Sequence, residues 1–348
     1  MRQSCFVALA LTTTHKIKTT YKLKCEQSTH KKQSYAKLTM SGFKVSKIKI
    51  PTSSTTDYNP FDFASSPHNH DTLYAYKVYD TPILGRGTFG VVAKCANRLT
   101  GIEFAVKTID KLKHGVKLDF KQEIKILNGV NHPNVLSIID YIEDHHYLHI
   151  ITELYTGGDL CDYIINNTPS HGIGCLSEVD ARSIIIALLE TILYLHSKNI
   201  VHRDVKPENI LFSCQPCNHS DKGSLIKLID FGFAKHHGLH DQRMRTKIGT
   251  PFYMAPEILK GSYDRSVDLW ATGVICFIML CGYPPFDGDN EYEINSATKK
   301  GTIVFDDEVW DKLSVDSKLF VKRLLSSDSD RLEDAATALD CHWLGNST

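Results

Sequence analysis

Between residues 76 and 154, hydrophobic and polar positions alternate over short stretches that are rich in Val, Ile and aromatic residues and are interrupted by Gly. Alternation with a period of two is typical of β-strands that bury one face. The pattern predicts five strands in this part and one short strand later, over residues 76–84, 91–97, 103–110, 135–142, 147–154 and 225–229.

Elsewhere, apolar residues recur at intervals of three and four, which is the spacing of one helix face. This spacing predicts helices over residues 117–130 and 181–196, with further helices as far as Trp343. The mainly apolar run over residues 269–281 is too short to span a bilayer and suits a buried helix. A small strand-rich part followed by a larger helical part indicates an α+β fold.

Residues 1–70 lack such a pattern and are rich in Lys, Ser and Thr, which predicts a disordered basic extension. The first 49 residues contain ten Lys and one Arg against one acidic residue, whereas the rest of the chain has 29 basic and 39 acidic residues. A membrane-surface patch, a nucleic-acid patch and a transit sequence are alternatives to a solvated tail, and Met40 is an alternative start. The acidic main body favours basic partners, so nucleic acid is not expected to bind.

Ten cysteines are scattered without a disulfide framework, which indicates reduced thiols and a cytoplasmic protein without a membrane span. Cys214 and Cys217, with His219 close by, are compatible with zinc. No second pair follows at ligand spacing, so the sequence favours an ordinary polar loop here.

Gly85, Gly87 and Gly90 lie between the first two predicted strands. A dinucleotide-binding turn joins a strand to a helix, so this position favours a hairpin that closes over phosphates. Lys107 follows on the third strand, where it can bind the same phosphates. An ammonium there needs a carboxylate to fix it, and Glu123 is the candidate because it lies inside the first predicted helix.

A loop between two apolar runs contains Asp204, Lys206 and Asn209, and Asp230 follows the last predicted strand. Asp204 could accept a proton from a hydroxyl group, and Lys206 could offset the charge of a moving phosphoryl group. Asn209 and Asp230 could hold a metal ion. These residue types at this spacing predict phosphoryl transfer.

With these residues in order, the chain resembles a eukaryotic protein kinase over residues 76–344. Within that family it is most similar to the calcium/calmodulin-dependent group, in particular to calcium-dependent kinases of plants and protists. The resemblance implies a two-lobed α+β fold: a small N-terminal lobe of antiparallel sheet with one key helix over residues 76–153, and a larger, mainly helical lobe over residues 156–344. The family resemblance rests on the Gly-rich turn, Lys107, Glu123, His202-Arg203-Asp204, Asn209, Asp230-Phe231-Gly232 and Ala255-Pro256-Glu257. The resemblance to the calcium/calmodulin-dependent group rests on Gly157-Gly158-Asp159-Leu160, Gly282-Tyr283-Pro284-Pro285-Phe286 and the ending from Leu339 to Trp343. The similarity to calcium-dependent kinases rests on Tyr263-Asp264-Arg265-Ser266-Val267-Asp268-Leu269-Trp270 and Lys247-Ile248-Gly249-Thr250.

The resemblance implies a serine/threonine kinase that uses ATP and Mg²⁺ on protein substrates. Asp204 is the implied base, Lys206 supports the transferred phosphoryl group, and Asn209 and Asp230 hold magnesium. The implied ATP-binding residues are Leu84, Gly85, Gly87, Gly90, Val92, Lys107, Glu123, Glu153 and Asp159. The alternative is a kinase-shaped binding scaffold without activity.

Two acidic residues near the catalytic loop, Asp159 and Glu208, predict substrates with Arg or Lys two to three residues before the acceptor. Asp159 has two interpretations that the sequence leaves open. It could contact a ribose or a basic substrate side chain, or it could be an ordinary carboxylate at a helix start.

Regulation by phosphorylation is expected at Thr246, in a basic part of the loop between Asp230 and Glu257. Arg203 has no evident partner in the sequence, and a phosphate added to Thr246 by an upstream activating kinase could pair with it. The alternative is that Thr246 remains unmodified. The resemblance also implies a structural ion pair between Glu257 and Arg331.

The sequence departs from the calcium-dependent kinases in two ways: it ends at Thr348 without EF-hands, and Cys341-His342-Trp343 replaces the usual His-Pro-Trp. The acidic stretch that begins at Asp287 lacks the Gly at the sixth position of a calcium loop. Activity is therefore expected not to require calcium or calmodulin.

Overall fold

The computed structural model describes residues 75–87, 90–111, 120–167, 176–216, 222–238, 241–305, 308–326, 331–332 and 334–345. The predicted extension over residues 1–70 and the candidate zinc ligands Cys217 and His219 lie outside these ranges. Within them, no helix is long and apolar enough to cross a membrane.

The strand-rich part forms one antiparallel sheet of five strands in the order β1-β2-β3-β5-β4. One sheet face packs Ile109, Leu148 and Ile150 against Ile124 of the helix α1, Phe120–Asn128. Burying each of these side chains contributes about 1.5–3 kcal/mol, which fixes α1 against the sheet. The strands are β1 Tyr76–Gly87, β2 Gly90–Asn97, β3 Glu103–Asp110, β4 Ile138–Glu143 and β5 Tyr147–Glu153.

One predicted strand begins later than expected. The strand predicted from residue 135 starts at Ile138, because Val135 forms an isolated bridge with Leu228 instead. The backbone N–H of Leu136 also donates to the carbonyl of Leu228. Residues 135 and 136 are thus bonded to the second lobe rather than to β5.

The second lobe is mainly helical. Every residue of its central helix, α5, is buried, which confirms the buried helix predicted for residues 269–281. A Cβ atom at Gly273 would lie 2.8 Å from the Cβ atom of Leu324, so glycine lets α5 and α8 approach closely. The helices are α2 Leu160–Asn167, α3 Glu178–Ser197, α4 Pro256–Lys260, α5 Val267–Cys281, α6 Glu291–Lys300, α7 Glu308–Asp311, α8 Val315–Leu324, α9 Ala335–Leu339 and α10 His342–Gly345.

Two short strand pairs place the polar loops of the second lobe. The first joins β6, Ile200–Val201, to β9, Lys235–His236, and the second joins β7, Ile210–Phe212, to β8, Ile226–Leu228. The loop with Asp204 runs from β6 to β7, and the segment with Asp230 runs from β8 to β9. The two pairs therefore bring both carboxylates to the same end of the lobe, and the two-lobed α+β fold is confirmed.

Candidate active site

A tight glycine turn joins β1 to β2, with Gly87 paired to Gly90. A Cβ atom at Gly90 would lie 2.2 Å from the carbonyl oxygen of Thr108 in β3, so a larger residue would require a backbone shift. At Gly85, by contrast, a Cβ atom would meet nothing within 4 Å among the described residues. Of these three glycines, close packing against the sheet therefore requires Gly90 and not Gly85.

The strands beside this turn carry two predicted ATP-binding residues, Leu84 and Val92, and both side chains are half-buried. Val92 is the register partner of Lys107 in β3. The lysine thus lies one strand away from the glycine turn, on a rigid part of the sheet.

Lys107 lies between two carboxylates. Its Nζ atom is 3.0 Å from Oε1 of Glu123 and 2.9 Å from Oδ1 of Asp230. The three residues come from β3, from α1 and from the segment after β8, and we call them the inter-lobe cluster. The carboxylate predicted from the helix pattern is therefore placed next to the lysine, and Asp230 shares the same ammonium.

The charges of the inter-lobe cluster depend on one another. Burial would lower the pKa of Lys107, but Asp230 and Glu123 raise it above its ordinary value. Burial would raise the pKa of Asp230, but the Lys107 charge and hydrogen bond lower it instead. Burial raises the pKa of Glu123, and the attraction of Lys107 only partly offsets this. The lysine is therefore held protonated, and Asp230 ionised, at neutral pH.

Asp204 is 4% exposed, and both of its carboxylate oxygens are held. Lys206 Nζ lies 2.8 Å from Oδ2, and the amide nitrogen of Asn209 donates to the same oxygen at 3.1 Å. The hydroxyl of Thr250 donates to Oδ1 at 3.0 Å and accepts from Lys206 at 3.0 Å. We call these four residues the catalytic-loop cluster; its bonds fix the carboxylate in one orientation.

A buried carboxylate, that of Asp268, holds the backbone of the loop that contains Asp204. Asp268, at the start of α5, accepts hydrogen bonds of 2.9 Å from the backbone N–H groups of His202 and Arg203 and from Nε2 of His196. Burial would raise the pKa of Asp268, but the hydrogen bond and charge of His196 lower it. Arg203 has φ 68°, a left-handed conformation that a non-glycine residue adopts only when its surroundings hold it. Asp268 supplies part of that hold.

The donor set fits a magnesium ion. Asp230 offers a carboxylate, and Asn209 keeps its amide oxygen as an acceptor because its amide nitrogen donates to Asp204. The backbone N–H of Ile229 donates to the carbonyl of Asn209 at 2.9 Å, so the two candidate ligands lie on adjoining segments. Magnesium takes oxygen ligands, commonly one or two protein groups together with substrate phosphates.

The comparisons with known proteins agree with this arrangement. The family model of the protein kinase domain matches residues 79–344. The chain belongs to the protein kinase family. It is 41% identical to calcium-dependent protein kinase 3 of Plasmodium berghei over 268 residues, which are 77% of this chain and 46% of that protein.

Two further relatives are also calcium-dependent protein kinases, and the resemblance to this group is confirmed. Calcium-dependent protein kinase 5 of Plasmodium berghei is 38% identical over 79% of this chain and 47% of its own length. Calcium-dependent protein kinase 4 of Plasmodium falciparum is 37% identical over 79% of this chain and 51% of its own length. The chain thus spans about half the length of these curated relatives.

The segment that links the lobes of this kinase contains Glu153 at the end of β5. Its side chain accepts a hydrogen bond from the hydroxyl of Tyr155. Asp159 follows and is 3% exposed, and its Oδ1 accepts from the backbone N–H of Asp162 at 2.7 Å. Of the two interpretations left open for Asp159, the structure therefore provides direct contacts for the helix-start carboxylate.

Glu208 borders the catalytic-loop cluster without joining it. Its Oε2 atom is buried and has no hydrogen-bond partner among the described residues. Burial raises the pKa of Glu208, and the charge of Lys206 offsets this in part. A buried acceptor without a donor is unfavourable by about 1–3 kcal/mol.

The expectation that Arg203 lacks a partner is wrong. Arg203 does have partners: its Nε atom donates to the carbonyl of Phe233 at 2.7 Å, and Nη1 donates to the hydroxyl of Tyr263 at 3.3 Å. The backbone and the core tyrosine supply these partners, which is why the spacing of charged residues did not reveal them. The side chain of Thr246 is exposed, and its carbonyl accepts from the same Tyr263 hydroxyl at 2.7 Å.

The ion pair implied between Glu257 and Arg331 is present. Arg331 Nη2 lies 2.8 Å from Oε1 of Glu257, and the two side chains are only 10% and 17% exposed. The guanidinium also lies over the ring of Trp270, 5.3 Å from its centroid. This ion pair therefore attaches the end of the loop, at Glu257, to the helical core around Trp270.

Sequence reasoning gave no role to three residues that shape the site: Asp268, Thr250 and Tyr263. Asp268 had a usable signal, since it is a lone carboxylate at the start of an apolar helix, where burial demands partners. Thr250 and Tyr263 lie in motifs that resemble calcium-dependent kinases, but the sequence did not predict their contacts, which join residues 46 and 60 positions apart in the chain.

Proposed function

We propose that the chain is an active serine/threonine protein kinase that transfers the γ-phosphate of ATP to protein hydroxyl groups. The observation that carries the proposal is the catalytic-loop cluster, in which Lys206, Asn209 and Thr250 orient the carboxylate of Asp204. A base needs a carboxylate held in a fixed orientation to accept the proton of the attacking hydroxyl.

The remaining groups position ATP and neutralise charge. The turn with Gly85, Gly87 and Gly90 covers the phosphates, and Lys107 orients them from the strand beside it. Asn209 and Asp230 hold magnesium, which supplies electrostatic stabilisation of the transferred group when bound. Because phosphoryl transfer has a loose transition state, this positioning provides most of the rate enhancement.

The proposed substrates are proteins with Arg or Lys two to three residues before the acceptor. The carboxylate of Glu208 supports this, since it lies near Asp204 and Lys206 and its charge would attract a guanidinium. The acidic balance of the chain beyond residue 49 also favours basic peptides. The names of the relatives state calcium dependence for those proteins, and the proposal here concerns the catalytic domain alone.

A peptide array with purified protein, ATP and Mg²⁺ tests activity and preference together. We expect transfer to Ser or Thr in peptides with upstream Arg or Lys, and none when EDTA removes the metal. Preference for acidic or proline-directed peptides would overturn the substrate proposal. Binding of ATP without transfer to any peptide would favour the scaffold alternative instead.

Thr246 is the proposed regulatory site. Its exposed hydroxyl is accessible to an upstream kinase, and a phosphate there could reach the guanidinium of Arg203, whose described partners are neutral. We expect Thr246→Ala to lower the activity of a phosphorylated preparation and Thr246→Glu to restore part of it. Equal activity of the alanine variant and the wild type would contradict this role.

A further inference from the structure

The side chains of the loop around Thr246 are attached to the protein through exposed ion pairs, Arg243 to Asp264 at 2.8 Å and Lys247 to Glu291 at 3.3 Å. The side chains of Arg245, Thr246 and Lys247 are all exposed, whereas Met244 is 3% exposed. Met244 exchanges two backbone hydrogen bonds, of 2.8 and 3.0 Å, with Tyr263. Exposed ion pairs stabilise a protein by only about 0–1 kcal/mol, so a buried attachment near residues 245–247 has a larger influence on where the loop lies.

One hydroxyl group supplies such an attachment. Tyr263 is completely buried, and its hydroxyl donates to the carbonyl of Thr246 at 2.7 Å while accepting from Nη1 of Arg203 at 3.3 Å. A phenol has one proton to donate and lone pairs to accept, so both bonds form at once. The hydroxyl thus joins the catalytic loop to the loop that contains Thr246.

Arg203 extends this connection towards the metal-binding segment. Its Nε atom donates to the carbonyl of Phe233, three residues after Asp230, and its own backbone N–H donates to Asp268. No carboxylate of the described residues lies within ion-pair distance of its guanidinium. The charged donor is held by neutral oxygens, and one of them is the hydroxyl of Tyr263.

We infer that Tyr263 is a positioning residue, whose hydroxyl holds the loop and the Arg203 side chain in the catalytic arrangement without a phosphate on Thr246. A phosphate on Thr246 would act by pairing with the guanidinium of Arg203. The Tyr263 hydroxyl already links the backbone of Thr246 to that guanidinium, so it provides a comparable connection without a phosphate. The chain then has basal activity before phosphorylation. The kinetic part of this inference rests on the proposed kinase function, whereas the structural part does not.

Tyr263→Phe tests the inference because it removes the hydroxyl and keeps the buried ring. In phosphatase-treated full-length protein, we expect kcat to fall about five- to tenfold, the factor that one net hydrogen bond is worth, with little change in the KM for ATP. Trypsin should cleave after Arg245 and Lys247 faster by a similar factor. Tyr194→Phe is the matched control, since it removes a hydroxyl that accepts from the backbone of Asn131 at 2.9 Å, and it should change neither reading.

A double-mutant cycle separates positioning from general stability. If the hydroxyl acts through Arg203, Tyr263→Phe should reduce kcat much less in an Arg203→Gln background than in the wild type. Fully additive effects, or unchanged kcat and unchanged cleavage in Tyr263→Phe, would overturn the inference. If wild-type protein transfers no phosphate, the proposed function fails, and the cleavage rates still decide whether Tyr263 anchors the loop.

Discussion

The two charged clusters of the candidate active site join residues that lie at different distances along the chain. In the inter-lobe cluster, Lys107 meets Glu123 across 16 residues and Asp230 across 123. In the catalytic-loop cluster, Asp204 meets Asn209 across five residues, although Thr250 comes from 46 residues away. One cluster is therefore assembled by the fold, and the other is largely local.

This difference separates what each cluster is expected to control. The inter-lobe cluster has one cation between two carboxylates from different elements, so its loss should disturb both ATP binding and folding. The catalytic-loop cluster rests on Asp268 of the buried helix α5, so its base can be changed with little effect on stability. Mutations in the inter-lobe cluster should therefore change ATP binding and the melting temperature, whereas mutations of Asp204 should change turnover with little change in stability.

The largest effect is expected from Asp204→Asn. The change is nearly isosteric but removes the base, and general-base catalysis contributes about 10²–10⁴-fold. We expect kcat to fall by that factor, while ATP affinity and the melting temperature stay near the wild-type values. Turnover close to wild type would show that Asp204 is not the base.

Lys107→Met is expected to affect both binding and folding. It leaves the carboxylates of Glu123 and Asp230 facing each other without the shared cation; this cluster is partly buried, and the upper bound, for a fully buried pair, is about 3–5 kcal/mol. We expect kcat/KM for ATP to fall about 10²-fold, with a lower melting temperature. Lys94→Met is the control, because its 2.6 Å pair with Glu103 is partly exposed. A stability loss no larger than the control's would contradict the comparison.

Glu208→Gln should change substrate preference. Neutralising the carboxylate removes the attraction for an upstream arginine, so kcat/KM should fall about tenfold for an Arg-containing peptide. The same peptide with alanine in place of the arginine should be phosphorylated equally by both enzymes. A uniform loss on both peptides would place Glu208 in the catalytic-loop cluster rather than in substrate recognition.

The smallest effect concerns the pH dependence of stability at Asp159. Burial raises its pKa to about 7, the charges of Asp162 and Glu208 add to this, and the hydrogen bond from Asp162 opposes it. The folded protein therefore binds a proton more tightly than the unfolded chain, and stability falls as pH rises from about 4 to 7. Asp159→Asn keeps a capping oxygen but cannot ionise.

The measurement is the melting temperature at pH 5 and pH 8. We expect the decrease between the two to be smaller in Asp159→Asn than in the wild type. Asp289→Asn, which removes an exposed carboxylate, is the control and should retain the wild-type decrease. An equal decrease in both variants would mean that ionisation of Asp159 does not destabilise the folded protein.

The sequence predicted the local parts of this molecule well. The strands and the buried helix follow from side-chain periodicity, which acts over a few residues, whereas the kinase motifs were recognised by their resemblance to the family. Glu123 was also found this way, because a helix pattern places it on one face. Its meeting with Lys107 needed no knowledge beyond the requirement that a buried ammonium be paired.

Contacts between distant segments were harder to predict. The link from Arg203 through Tyr263 to the carbonyl of Thr246 uses a phenol and a backbone oxygen, and neither has a charge pattern in the sequence. Similarly, Val135 reads as strand by composition but bonds to Leu228 in the other lobe. Partners of this kind depend on tertiary packing.

If the catalytic-loop cluster makes this chain an enzyme and not only a nucleotide-binding scaffold, the purified protein must transfer phosphate. The most direct measurement is the number of phosphates that the purified wild-type protein transfers from Mg-ATP to a serine peptide with upstream arginine, determined by mass spectrometry. We expect many phosphopeptides per protein molecule, and none when the serine is replaced by alanine. Binding of ATP without formation of any phosphopeptide would contradict it.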